Sequence, residues 1–190
     1  MGLTDFAENR EQEARGKVAE FAAARPDAGV RWHMVGQLQR NKARAIARWA
    51  DVVESVDSER LARALDSASA SALEAGERTC PLDVLVQVNL DEAPGRGGCP
   101  PAEVDTLAAL ITRTSALRLR GVMAVAPLHG DSSMAFATLS GISQRLRDRH
   151  PEAGEVSAGM SGDLESAIAH GSTKVRVGTA LLGGRPIISP

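Results

Sequence analysis

The stretch EVSAGMSGDLESAIAHGSTKVRVGTALLGG, residues 155–184, decides how the chain is read. Its pattern predicts strand, loop, short helix, strand, loop. Residues 156–158 form a short, mainly apolar run, and Gly159-Met160-Ser161-Gly162 turns the chain. Residues 163–170 place Leu164, Ala167 and Ile168 at helical spacing, and Gly171-Ser172 ends that helix. Val175-Arg176-Val177 is β-branched apart from its arginine, and Gly178-Thr179 follows at once. Two strand ends thus open into loops of small residues with free N–H groups and a hydroxyl. That pattern suits a dianionic phosphate. A second reading stands beside it, in which Ser161 caps the helix and the glycines only make turns. Asp163 and Glu165 favour that one, because they would repel a phosphate facing them. Arg176 points back toward an anion: a guanidinium within a strand of a covered parallel sheet must meet an anion, an acceptor or solvent. An ion pair with a nearby carboxylate would meet that need equally well.

Working outward, 190 residues make one ordinary domain, expected to span residues 1–190 and long enough to bury a real core. The net charge of −2, with acids and bases interspersed, announces neither nucleic acid nor an anionic membrane. No apolar run approaches a membrane span, and the opening MGLTDFAENR lacks the pattern of a signal peptide, so a soluble cytoplasmic protein is expected. Cys80 and Cys99 form no CxxC pattern, which argues against a disulfide framework or zinc site. There is no tyrosine, and the only lysines are Lys17, Lys42 and Lys174.

From the start, residues 3–6 predict a short strand and 8–24 a helix with Ala14, Val18, Phe21 and Ala22 on one face. Residues 30–35 (VRWHMV) predict a second strand, 40–49 a basic helix and 52–56 a third strand. Residues 58–75 predict an amphipathic helix, with Leu61, Leu65, Ala68 and Ala72 recurring at helical steps. Residues 82–90 (LDVLVQVNL) are the strongest strand, followed by the glycine- and proline-rich loop 91–101. A helix over 102–114, a strand over 119–125 and a helix over 135–149 complete the pattern. Seven strands alternating with helices call for a parallel sheet covered by helices. A doubly wound sheet would usually carry a glycine-rich turn after its first strand, which is missing here. A TIM-type (β/α)8 barrel fits better, because such barrels often hold phosphate on the loops after their last two strands. The count falls one unit short of eight.

Several ordered segments then resemble one family. Asp5-Phe6-Ala7-Glu8-Asn9-Arg10 with Gln12-Glu13 is similar to the DFGENxxQE segment of the pyridoxal phosphate homeostasis proteins, with Ala7 in place of a glycine. Residues 32–42 (WHMVGQLQRNK) resemble their WHFIGxLQxNK signature. Gln87-Val88-Asn89, the run 119–123 (LRGVM), the run 159–165 (GMSGDLE) and residues 171–183 match further family motifs. The resemblance covers nearly the whole chain and implies the barrel shared with the N-terminal domain of alanine racemase. It implies that Ser161, Gly178 and Thr179 hold the phosphate of pyridoxal 5'-phosphate, with Met160 beside the serine in the same loop. It implies that Arg176 faces the pyridine nitrogen, and a permanent cation there keeps that nitrogen unprotonated and weakens the cofactor as an electron sink. Asn9 and His33 are carried over as residues facing the same mouth, and a packed strand histidine is the competing reading of His33.

The departure concerns the lysine. The family's first strand ends in a lysine that forms the Schiff base, whereas only Met1–Thr4 precede the DFAEN segment here. The expectation is therefore that the first strand and helix, ~30 residues in such barrels, are missing, so that two strand edges stand open and favour oligomerisation. Lys17 lies within a helix, Lys42 matches another lysine of the signature, and Lys174 is expected at the end of the last strand away from the site. Noncovalent cofactor binding without turnover follows, with pyridoxal phosphate and apo forms of its enzymes as partners, no nucleic acid or membrane, and a monomer or weak homo-oligomer. A racemase of the alanine type would need a lysine on one face and a tyrosine on the other, and this chain has no tyrosine. A degenerate remnant acting through protein contacts is the third reading.

Overall fold

The computed structural model describes residues 2–91, 93 and 95–183. Gly184, at the end of the predicted closing loop, lies outside them. Six parallel strands form one sheet in strictly sequential order: β1 (Asp5–Glu8), β2 (Arg31–Met34), β3 (Val52–Val56), β4 (Leu82–Gln87), β5 (Leu117–Met123) and β6 (Glu155–Ser157). Between and after them lie helices α1 (Glu11–Ala24), α2 (Ala43–Ile46), α3 (Glu59–Glu74), α4 (Val104–Ile111), α5 (Ser132–Arg149), α6 (Leu164–Ala169) and α7 (Thr179–Leu182).

Local sequence explains the best-defined elements. β3 is the β-branched run VVESV, buried at every position. In α3 the Ser58 side chain accepts from the Leu61 N–H at 3.4 Å, and Leu61, Ala62, Leu65, Ser69 and Ala72 turn inward. In α5 the Asp131 carboxylate accepts from the Ser133 N–H at 2.8 Å, while Arg147 and Arg149 complement the far end of the helix. Helix α1 is different, since Ala14 is its one buried residue. Gly16 lies in its interior, and a methyl group there would meet nothing within 4 Å. Gly16→Ala is expected to stabilise the protein by about 0.5–1 kcal/mol, read as a rise in the urea midpoint; a fall would show that α1 is not helical at that residue.

Right-handed crossovers between sequential parallel strands place the connecting helices on one face of the sheet. There the main core forms, with Val53, Val84, Val86 and Val122 from the strands against Leu61, Leu65, Ile111, Phe136 and Leu139 from the helices. The other face curls inward. Strands three places apart in a flat sheet stand ~14 Å from each other, yet the Ser157 hydroxyl of β6 donates to Glu54 of β3 at 2.5 Å. The inner face holds a small apolar cluster, Val52, Leu85 and Met123, and a polar set that includes His33, Glu54, Asp83 and Ser157, all buried. Phe6, Phe21 and Trp32 pack together on β1, α1 and β2, with ring centroids 5.6 to 6.2 Å apart.

The sheet differs from expectation at its end. The predicted last strand, residues 175–177, joins no ladder. An isolated parallel bridge, Ser157↔Lys174, with the Lys174 N–H donating to the Val156 carbonyl at 3.1 Å, ties the start of that segment to β6, and the Arg176 N–H donates to the Gly159 carbonyl at 2.9 Å. Gly159 (φ +94) bends the chain out of β6 after three strand residues, and a Cβ there would stand 2.7 Å from that of Ala167. Ser157, the last residue of β6, already lies opposite Lys174, so residues 175–177 run past the end of that strand. The predicted basic helix over 40–49 is likewise a 3₁₀ turn (Arg40–Lys42) followed by the four-residue α2.

Candidate functional site at the carboxyl ends of the strands

The site is built around Arg176. Its Nη1 donates to the carbonyl and the Oγ of Ser157, at 2.9 and 2.8 Å, and its Nη2 to the Ala124 carbonyl at 2.8 Å. The guanidinium is thus held across the ends of β5 and β6. Burial pulls its pKa down, and the negative charges of Glu54 and Asp163 oppose that shift. The Ser157 hydroxyl in turn donates a hydrogen bond to Glu54. The other oxygen of Glu54 lies 2.7 Å from Nδ1 of His33, whose Nε2 lies 3.0 Å from Asp5. A chain of polar contacts therefore runs from Arg176 through Ser157, Glu54 and His33 to Asp5 on the first strand.

Both carboxylates in that chain titrate low. For Glu54, 1% exposed, burial raises the pKa, but hydrogen bonds from His33 and Ser157 and the charge of Lys174 outweigh it and the net shift is downward. Burial also raises Asp5, and hydrogen bonds with Thr4 and His33, with the charges of His33 and Arg31, bring it below the ordinary value. Deeper in the sheet, Arg31 and Arg118 both reach Asp83, at 2.9 and 2.8 Å, and close the inner face with ion pairs.

The structure spreads the other predicted residues around this centre. Met160 is 40% exposed, and its backbone N–H donates to Asp163 at 2.6 Å, so the acid takes up a loop donor. Ser161 is exposed and its hydroxyl has no partner among the described residues. Gly178 is exposed, and its carbonyl accepts from Leu181 and Leu182, which starts α7. Thr179 opens that helix; its side chain lies outside the described residues. Asn9 is exposed, with its carbonyl oxygen so close to Gly36 that a Cβ there would stand 2.0 Å away. His33 is 2% exposed and reaches Arg176 only through Glu54 and Ser157.

Lys174 points to the amino end of β6: its Nζ lies 2.9 Å from Glu155, the first residue of that strand, and 3.7 Å from Glu54 of the inner-face network. Lys17 and Lys42 pair with Glu8 and Glu11 at 2.8 and 3.6 Å. Cys99 is buried, and that burial pushes its thiol up to about 12, which keeps it unreactive. Sequence reasoning missed Glu54 and Ser157. The signal for Glu54 was present, a carboxylate within the apolar run VVESV.

A parallel sheet in sequential strand order, curled around a polar interior with an anchored arginine at its carboxyl end, defines an α/β domain of the barrel class. The family model of the alanine racemase N-terminal domain matches residues 1–186. Pyridoxal phosphate homeostasis proteins of Corynebacterium glutamicum and Mycobacterium tuberculosis are each 48% identical to the chain. The first aligns over 98% of this chain and 82% of its own length, the second over 100% and 77%. The chain belongs to the alanine racemase N-terminal domain family, and within it to the pyridoxal phosphate homeostasis proteins.

Solved structures agree. PipY of Synechococcus elongatus without PLP superposes with a TM-score of 0.84 at 35% identity, over 96% of this chain and 83% of its own. PipY with PLP bound superposes at 0.81 and 34%, over 96% and 82%. Alanine racemase of Corynebacterium glutamicum shares the fold, with a TM-score of 0.70 at 12% identity over 97% of this chain and 49% of its own.

Proposed function

We propose that the chain binds pyridoxal 5'-phosphate at the carboxyl end of its sheet and serves the intracellular homeostasis of that cofactor without turning over a substrate of its own. The observation that carries this reading is Arg176, a guanidinium fixed by three acceptors beside two loops of small residues. Its charge opposes a proton on the pyridine nitrogen, and without that proton the ring is a poor electron sink. The residues fit the group. Ser161 brings an unengaged hydroxyl, Gly178 an exposed backbone and Thr179 a second hydroxyl for the phosphate, while Arg176 takes the ring nitrogen. Met160 and Asn9 flank the mouth. Each of the three lysines is engaged by a glutamate, which favours noncovalent holding of the cofactor.

The six strands are consecutive members of a (β/α)8 barrel within one domain, the segment 174–177 running beside the last of them. Leu128, Met134, Ile168 and Leu182, each more than half exposed, follow β5 and β6. They offer an apolar surface on which apo forms of pyridoxal phosphate enzymes would receive the cofactor. The chain acts in the cytoplasm as a monomer or weak homo-oligomer.

Equilibrium dialysis of pyridoxal phosphate against wild type and the Ser161→Ala, Thr179→Val double variant tests the site. Two lost phosphate hydrogen bonds predict at least a tenfold weaker Kd in the variant; equal affinity would overturn the assignment. Reduction with borohydride followed by peptide mass measurement tests the mode of binding. A stoichiometric adduct on Lys17, Lys42 or Lys174 would refute noncovalent binding.

A further inference from the structure

The function assigned to Arg176 depends on how its guanidinium is held, and its anchor reaches far beyond the loops that surround it. Ser157 has one proton and two lone pairs. The proton goes to Glu54 at 2.5 Å, which turns the hydroxyl oxygen toward Nη1 of Arg176 at 2.8 Å. Glu54 is 1% exposed and is itself fixed by His33 at 2.7 Å, while Lys174 stands 3.7 Å from the same oxygen. His33 is in turn tied to Asp5 at 3.0 Å.

Of the five guanidinium N–H groups, both on Nη1 and one on Nη2 are spent on Ser157 and Ala124. The Nε–H and the second Nη2–H have no partner among the described residues. They are the donors left for a ligand. Their direction is set by the contacts on the other side of the guanidinium, and Glu54 governs one of those contacts from a strand three places away in the sheet.

We propose that Glu54 is a positioning residue for the cofactor site: through Ser157 it orients the Arg176 guanidinium toward the pyridine ring, and it contributes nothing to holding the phosphate. The proposal rests on the function inferred above and adds to it a buried carboxylate that touches no ligand. A glutamine at position 54 could offer its amide N–H₂ to Ser157 Oγ, compete for the lone pairs that Arg176 uses and release the hydroxyl proton to another direction. An alanine at position 157 would remove the hydroxyl altogether while leaving its backbone carbonyl on Nη1.

The test measures two constants for each of wild type, Glu54→Gln and Ser157→Ala: the Kd for pyridoxal 5'-phosphate, and the inhibition constant of inorganic phosphate against it. The phosphate constant reports the loops alone, and the ratio of the two reports recognition of the ring. Both variants are expected to bind pyridoxal phosphate about tenfold more weakly with the inorganic phosphate constant unchanged. Should Glu54→Gln not fold, Ser157→Ala decides the matter by itself. A parallel loss of both constants would mean a structural role only and overturn the proposal, as would wild-type affinity in Ser157→Ala. A wild-type protein that binds inorganic phosphate but not pyridoxal phosphate would instead overturn the inferred function, and this proposal with it.

Discussion

Gly121→Ala should be severely destabilising. Gly121 sits in β5 at φ +153, a conformation that residues with a side chain rarely adopt. A Cβ there would stand 1.8 Å from the carbonyl oxygen of Glu155 and 2.7 and 2.8 Å from its carbonyl carbon and nitrogen. Those atoms are backbone, and they cannot retreat alone. Gly121, Val122 and Met123 pair with Glu155, Val156 and Ser157, so a shift that clears the methyl group breaks the whole ladder and carries Ser157 away from Glu54 and Arg176. Backbone strain and lost pairing together cost on the order of 4 kcal/mol or more, a large share of the stability of a domain this size. Soluble yield and circular dichroism melting read the outcome. A variant that melts within a few degrees of wild type would mean that β5 and β6 do not approach as described.

The second large effect belongs to Glu54. Glu54→Leu is expected to cost about 3–5 kcal/mol at neutral pH, because it leaves His33 and Lys174 in the interior without their shared carboxylate. The same residue shapes the acid limb of stability. Glu54 and Asp5 both have folded-state values below their ordinary ones, so the native state binds fewer protons than the unfolded chain. Their contribution is fully present above the unfolded carboxylate range, ~4, and is lost as the pH falls through the lowered native values. Wild type should therefore lose stability on acidification below about pH 5, and Glu54→Leu should lose less over the same interval. Urea midpoints at pH 7 and pH 4 check both statements. A wild-type midpoint that did not move would remove the electrostatic account of the inner face.

Much of this architecture could be read in the chain beforehand, and the exceptions share a cause. β3 and α3 follow from local pattern alone, a β-branched run and a capped helix with apolar residues at steps of three and four. The last strand failed because Val175 and Val177 report propensity alone, while β6 ends at Ser157, opposite Lys174, before residues 175–177 can pair with it. The basic helix failed in a similar way, for the residues from Arg40 to Trp49 hold helical pitch for barely one turn.

At the site, Arg176 was legible because a guanidinium in an apolar strand demands a partner. Glu54 satisfies the same criterion. Its contact with Ser157, however, spans 103 positions of sequence and exists only once the sheet has curled. No local pattern encodes that. The loop residues Ser161 and Gly178 were named from motif, and the structure adds that both are exposed and that neither has a hydrogen bond to the inner-face network.

Strand order has a consequence for how the molecule is made. Because each strand pairs with the one synthesised just before it, every crossover closes a loop of modest length, and the entropy of closure stays small at each step. A ribosome-bound chain can add its units one after another, N-terminal first. The inner network is the exception, since Glu54 emerges 103 residues before Ser157, and His33 earlier still. Until Ser157 and Arg176 arrive, Asp5, His33 and Glu54 have one another and water on a half-built surface. Completing the ligand site and sealing the sheet are therefore the same late event in the life of the nascent chain.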